Sequence, residues 1–212
     1  MSSELNFPFK NQVVVVTANG TYTPPSDASY VHIELWGGGA AGGNASNGGG
    51  FAGQRVTSIL PLASGNISIS LGNGGAGVSG NGGTSTLTYS GKTITAIGGS
   101  GFFPALVAPL AGSLVVSGGY ADMSKGNVNV TAGNSIYYAG NGTPNNYATD
   151  GSTTVGYGGQ AGYGNGGNGG TDGGAPGLPG GFGAGGGSGT GSGGNGPGAG
   201  GQGICILTYI FN

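Results

Sequence analysis

Few residues in this sequence have side chains that could carry out acid–base or nucleophilic chemistry. His32 is the only histidine, and it alternates with apolar residues in a segment that reads as a β-strand. A Ser-His-Asp triad would need Asp122, Asp150 or Asp172 beside it, but no serine stands in the G-x-S-x-G context of a nucleophile elbow. Six scattered acidic residues give no sign of the carboxylate pair that glycoside hydrolysis needs. We therefore expect His32 on a sheet face, and we predict no catalytic residue.

Two short motifs could bind phosphate or a metal ion. GNGGAG (72–77) matches the G-x-G-x-x-G pattern after a predicted strand, but no helix follows to offer its N-terminus to a phosphate. Such a match also arises by chance in a chain that contains 57 glycines. NNYATDG (145–151) carries oxygen ligands suited to Ca²⁺ without the acidic spacing of an EF-hand loop, which favours an Asx-rich turn. We predict neither a cofactor nor a metal site.

The low charge of the chain excludes several classes of partner. Charged residues make up 5% of the chain and the net charge is −2, so there is no basic surface for nucleic acid. No apolar run has the length of a membrane span, and the first residues lack the basic and apolar regions of a signal peptide. The single cysteine, Cys205, excludes an intramolecular disulfide. We therefore expect the protein to be part of a particle that is assembled inside a cell and later released.

Alternating apolar residues predict β-strands along both ends of the chain, with no convincing helix. Both faces of Val13–Val16 and of the C-terminal strand are apolar, so each belongs in the middle of a sheet or at a subunit interface. We expect these two ends to pair and to close one domain around the glycine-rich middle. Ser90-Gly91 predicts the turn of a hairpin. The predicted strands lie within 12–18, 30–36, 54–60, 66–72, 84–97 and 203–212.

Glycine dominates the region between these strands, especially residues 151–203. In 174–189 glycine recurs at every third position before the phase slips, and a collagen helix does not tolerate such a slip. Polyglycine II, the glycine relative of the polyproline II helix, does tolerate it. We predict an all-β fold in which sandwich-like strands close around a polyglycine II bundle, with a flexible linker as the alternative. Its parts are 1–101, a less glycine-rich insert at 102–150, and 151–212, within one compact domain.

Tyrosine is concentrated in and just after the insert, where six of the ten tyrosines fall between residues 120 and 163. Rigid aromatic rings among small polar residues are the mixture that binding loops favour, and they also suit the apolar faces of sugars. Packing against the glycine bundle is the alternative, and the sequence leaves both open. The candidate receptor-binding residues are Tyr120, Tyr137, Tyr138, Asn145, Asn146, Tyr147 and Tyr157.

Several segments resemble the glycine-rich domain of bacteriophage tail-fibre and tail-tip proteins and of surface proteins of large DNA viruses. They are GTYTPPSDASYVHIELWGGGAAGG, GGGFAGQRVTSILPLASGNISISLGNGGAG, GNGGTSTL and the closing GGQGICILTYI. The resemblance covers roughly 12–101 and 151–212 and omits 102–150. It implies a virion structural or receptor-binding part without enzyme activity, in which polyglycine II strands support loops that touch the host.

We therefore expect a virion protein, and most specifically a tail-fibre, tail-tip or surface-fibre adhesin module. A purely structural capsid spike, decoration or fibre-shaft protein is the alternative. The expected partners are other virion proteins and a host surface glycan or outer-membrane protein, with no nucleic acid and no membrane insertion. A homo-oligomer is expected, preferably a trimer by analogy with viral fibres. Trp36, directly before three glycines, is predicted to act as a structural cap over the end of a glycine strip.

Overall fold

The computed structural model describes 11–43, 49–100, 165–167, 176–187, 189 and 196–211, and the backbone alone of 114–116, 146–147 and 154–155. These residues contain strands and no helix, which confirms the all-β prediction. The described residues form eleven strands: β1 (Asn11–Val16), β2 (Gly20–Tyr22), β3 (Ala28–Trp36), β4 (Arg55–Pro61), β5 (Ile67–Ser70), β6 (Ser85–Tyr89), β7 (Lys92–Ala96), β8 (Leu114–Val116), β9 (Asn146–Tyr147), β10 (Thr154–Val155) and β11 (Cys205–Phe211).

Two antiparallel sheets make up the body of the fold. The five-stranded sheet has the order β1-β11-β3-β4-β8, and the four-stranded sheet has the order β2-β5-β6-β7. A separate two-stranded ladder joins β9 and β10. β1 pairs with β11 from Asn11 opposite Ile210 to Val16 opposite Cys205, so the two ends of the chain meet as expected. β11 therefore lies inside the five-stranded sheet, whereas β1 lies at its edge.

The core lies between the two sheets and follows from strict alternation in the strands. Ile67 and Ile69 of β5 are buried while Ser68 and Ser70 are exposed, and Val31, Ile33 and Leu35 form the buried face of β3. Fully burying one such aliphatic side chain contributes about 1.5–3 kcal/mol. The wider cluster also includes Val56, Leu60, Leu87, Ile94, Cys205, Leu207 and Tyr209.

The predicted hairpin between β6 and β7 is present. Ser90 and Gly91 have φ angles of 47° and 73°, and Tyr89 lies opposite Lys92 across the two-residue turn. Positive φ at both central residues is the signature of a type I′ turn, whose twist matches that of the flanking strands.

Glycine strips pack beside the sandwich and are joined by backbone hydrogen bonds. The central strip, 37–43, directly continues β3, and its N–H groups donate to three neighbouring strips in turn at 2.8–3.0 Å. A chain with three residues per turn and no internal hydrogen bonds points successive N–H groups in three directions, which is the geometry of polyglycine II. Gly37 and Ala40 donate to 51–54, Gly38 and Ala41 donate to 80–83, and Gly39 and Gly42 donate to 198–201.

The carbonyl groups of the same strip accept from three further strips, so the central strip has six hydrogen-bonded neighbours. Gly38 accepts from Gly99, Gly39 accepts from Gly75, Gly42 accepts from Ser79, Ala40 accepts from Gly186, and Gly43 accepts from Gly189. We call this assembly, made of 37–43, 49–54, 72–79, 80–83, 97–100, 176–187 with 189, and 196–203, the glycine bundle. About half of the region predicted as polyglycine II at 151–203 lies outside the described residues, but its described strips join the bundle. There Gly177 and Gly180 donate to Gly196 and Ala199, again three residues apart.

Candidate functional site

The junction between the sandwich and the glycine bundle is closed by buried polar side chains. The Ser85 hydroxyl donates to the carbonyl oxygen of Trp36 at 2.6 Å and accepts from the N–H of Gly72 at 2.9 Å. The Gln54 side chain accepts from the N–H of Ile97 at 3.0 Å. These bonds satisfy backbone groups at the points where strands give way to glycine strips, and an unsatisfied buried group costs about 1–3 kcal/mol. The sequence analysis missed both residues, because a serine or glutamine beside glycine carries no distinguishing signal.

A charged and aromatic cluster lies on the outer face of the five-stranded sheet, at the end of β3. The Arg55 guanidinium pairs with the Glu34 carboxylate and lies over the Trp36 ring, 5.1 Å from its centroid. Trp36 is 1% exposed and also packs with Ile204 and Ile206. The ion pair neutralises both charges, and the cation–π contact contributes about 0.5–1 kcal/mol at exposed sites. The cluster joins the end of β3 to the start of β4, and the role of Trp36 as a cap of the glycine strip stays a prediction.

The rest of that outer face is largely apolar. Val13 and Val15 of β1, Tyr30 of β3 and Ile59 of β4 are all exposed, by 59%, 53%, 43% and 60% respectively. His32 is half-buried on the same face, between Thr208 and Ile59 of the neighbouring strands. His32 therefore lies on a sheet face, as the sequence predicts.

The only cysteine is held in a chemically inert state. Cys205 lies in the core between the sheets, where burial and, to a lesser extent, the negative charge of Glu34 raise the pKa of its thiol to about 12. The thiolate is the nucleophilic form, so this thiol is unreactive at neutral pH. Burial and, to a lesser extent, electrostatic repulsion from Cys205 also raise the pKa of the Tyr209 hydroxyl.

Most of the predicted receptor-binding residues lie outside the described part of the chain: Tyr120, Tyr137, Tyr138, Asn145 and Tyr157. The backbone of the remaining two, Asn146 and Tyr147, forms β9, opposite Val155 and Thr154 of β10. Their role stays a prediction. Within the described ranges no three His, Cys, Asp or Glu residues gather where they could hold a metal ion. No helix among those residues has the length and hydropathy to cross a membrane.

The family of the chain is decided by a match over almost its whole length. A family model described as a glycine-rich domain matches residues 15–210, from β1 to β11. The chain belongs to the glycine-rich domain family. In this glycine-rich domain the match spans most of both sheets and the glycine bundle. A search of curated proteins found none that matches the chain.

Proposed function

We propose that this protein is a structural module of a virion surface, of the tail-fibre, tail-tip or surface-fibre kind, that presents Tyr- and Asn-rich loops to a host receptor. The observation that carries the proposal is the central glycine strip, bonded through its backbone to six neighbours. A bundle held by backbone hydrogen bonds is thin and stiff without a wide apolar core. Stiffness is what a protein needs if it must hold a contact surface at the end of a fibre.

The connection of the insert to the bundle supports this proposal. Gly99, just before residues 101–164, donates to Gly38 at 2.8 Å, and Gly167, just after them, donates to Gly185 at 2.9 Å. Both ends of the segment that contains the candidate tyrosines are thus attached to the glycine bundle. A rigid support with a long segment between two anchored ends is a suitable arrangement for a recognition surface.

The proposed receptor is a host surface glycan or an outer-membrane protein, contacted by Tyr120, Tyr137, Tyr138, Tyr147 and Tyr157 with Asn145 and Asn146. Aromatic rings stack on the apolar faces of sugars, while amide groups hydrogen-bond to their hydroxyls. Other virion proteins are the second class of partner. The proposed chemistry is binding alone, without catalysis, a cofactor or nucleic acid.

A purely structural spike, decoration or fibre-shaft protein is the second candidate. The exposed apolar side chains of Val13 and Val15 favour it, since a surface of this kind often marks contact with another subunit. In that case the tyrosines would be buried against neighbouring subunits rather than presented to a host.

Replacing Tyr137, Tyr138 and Tyr147 together by alanine separates the two candidates. A glycan array and a panel of bacterial and eukaryotic cells identify a ligand for the wild-type protein, and the triple variant is then tested on that ligand. Receptor tyrosines predict lost binding at an unchanged melting temperature, because exposed aromatic anchors often contribute 2 kcal/mol or more each. Packing tyrosines predict a lowered melting temperature, because truncating a buried aromatic costs about 3–5 kcal/mol. The second result, or a wild-type protein that binds no ligand, favours the structural candidate.

A further inference from the structure

The four edges of the two larger sheets, as the described strands form them, are not equally protected against pairing with another chain. β2 and β8 have only three residues each, and β7 begins with the exposed Lys92. Short strands and edge lysines are the usual devices that prevent edge-to-edge association. β1 has neither: it is six residues long, NQVVVV, with no charge, no proline and no register shift against β11. Among the described strands none lies on its other side.

The side chains of β1 also suit contact with a second chain. Val13 and Val15 point to the outer face and are more than half exposed, while Val14 is half-buried and Val16 is buried on the inner face. The sequence analysis placed Val13–Val16 in the middle of a sheet or at a subunit interface. A place in the middle of a sheet is wrong for β1, because β1 is an edge strand among the described strands. Its exposed valines are consistent with the other alternative, a subunit interface.

A copy of β1 is a complementary partner for β1. In an antiparallel pair, residues directly opposite each other point to the same face of the sheet. A twofold axis through Val14 sets each Val13 opposite the partner's Val15, so four exposed valines form one apolar patch. On the inner face Gln12 lies opposite the partner's Val16. A shift by one residue would bring inner-face and outer-face side chains together, and a shift of the axis to Val13 would set Val15 opposite the partner's Asn11.

We propose that the β1 edge is the contact surface for a second copy of this chain, so that two five-stranded sheets join into one continuous sheet about a twofold axis at Val14. The contact is isologous, with the same strand contributed by both subunits, so it gives a dimer in place of the trimer expected by analogy with viral fibres. A net charge of −2 per chain gives little repulsion between the copies. This inference does not depend on the proposed receptor, since the edge pairs whether or not the tyrosines bind.

The test is the mass of the full chain in solution, measured by light scattering at micromolar concentration. The wild-type protein is expected at twice the chain mass of 20.0 kDa. V13K/V15K sets lysines opposite lysines and is expected to be monomeric. V13E/V15K sets each new carboxylate opposite a new ammonium group and is expected to restore the dimer, which high salt then weakens.

The control for added surface charge is Ile59→Lys, on the same outer face but on β4, and this variant is expected to remain dimeric. Circular dichroism melting verifies that all variants fold. A wild-type monomer or trimer would overturn the inference, and so would a V13K/V15K protein that stays dimeric. Dissociation of the Ile59→Lys protein would show that the outer face, rather than the edge, holds the copies together. A monomeric V13E/V15K protein would refute the axis at Val14.

Discussion

Replacing Gly39 by alanine places a methyl group inside the glycine bundle. The new Cβ would overlap the carbonyl oxygen of Ala184. That oxygen cannot swing away freely, because it already accepts a hydrogen bond from Gly201 at 2.8 Å, and Gly39 itself donates to Gly201 at 2.8 Å. The substitution therefore forces two strips of the bundle apart at a point where backbone meets backbone.

The magnitude follows from three terms. Overpacking of a tight interior costs about 1–3 kcal/mol, and a weakened backbone hydrogen bond costs about 0.5–1.5 kcal/mol. The smaller entropy of the unfolded alanine chain returns about 0.4–1 kcal/mol. We expect Gly39→Ala to lower the free energy of unfolding by about 2–3 kcal/mol, and to lower the melting temperature by about 4–12 °C for a chain of this size.

The matched control is Gly196→Ala, measured beside Gly39→Ala by thermal and urea denaturation. No atom lies within 4 Å of a Cβ at Gly196, and its φ lies outside the left-handed region. Only the unfolded-state term remains, so this variant should gain about 0.4–1 kcal/mol. Equal stabilities of the two variants would refute the close backbone packing of the bundle.

Three further predictions concern single side chains. Ser85→Ala should lower the free energy of unfolding by about 2–3 kcal/mol in urea titrations, since two buried backbone groups lose their partner; the exposed Thr88→Ala should cost under about 0.5 kcal/mol. Because the thiol of Cys205 has its pKa raised to about 12 from an ordinary 9.0, its contribution to stability is complete below pH 9 and is lost as the pH rises towards 12. The free energy of unfolding should fall by up to about 1.4 kcal/mol per pH unit in this range. Cys205→Ala should reduce this slope, and an unchanged slope would contradict the raised pKa. Ser90→Asn should raise the melting temperature by a few degrees, because asparagine suits positive φ in a type I′ turn, and a lowered one would count against that turn.

The strands and the hairpin could be predicted from the sequence because their side chains alternate. The alternation of Ile67 and Ile69 with Ser68 and Ser70 indicates which face of the strand is buried. Ser90-Gly91 indicates where the chain turns. The pairing of the two chain ends followed from their two-sided apolar pattern. That same pattern could not distinguish an interior strand from an edge strand, so the position of β1 at the edge came only from the structure.

The arrangement of the glycine strips could not be predicted, for a physical reason. Glycine has no side chain, so nothing in the sequence states that Gly38 pairs with Gly83, or Gly39 with Gly201. The strips pair through backbone N–H and C=O groups. These groups are the same in every strip, so the sequence does not distinguish one partner from another. For the same reason Ser85 could not be singled out from the sequence, because its role depends on which two backbone groups lie within reach of its hydroxyl. The candidate tyrosines rest on composition alone.

Amide hydrogen exchange at Gly37–Gly42 tests the central claim, the six-neighbour glycine bundle, most directly. Residue-resolved exchange is measured by NMR on the full chain, with the amides of β3 as the internal reference. Each N–H of this strip donates to a neighbouring strip, so its opening should need a free energy close to that of β3. Protection of all six amides within about tenfold of the β3 amides is the predicted result. Exchange at the rate of an unstructured glycine linker would contradict the bundle and, with it, the rigid support on which the proposed function depends.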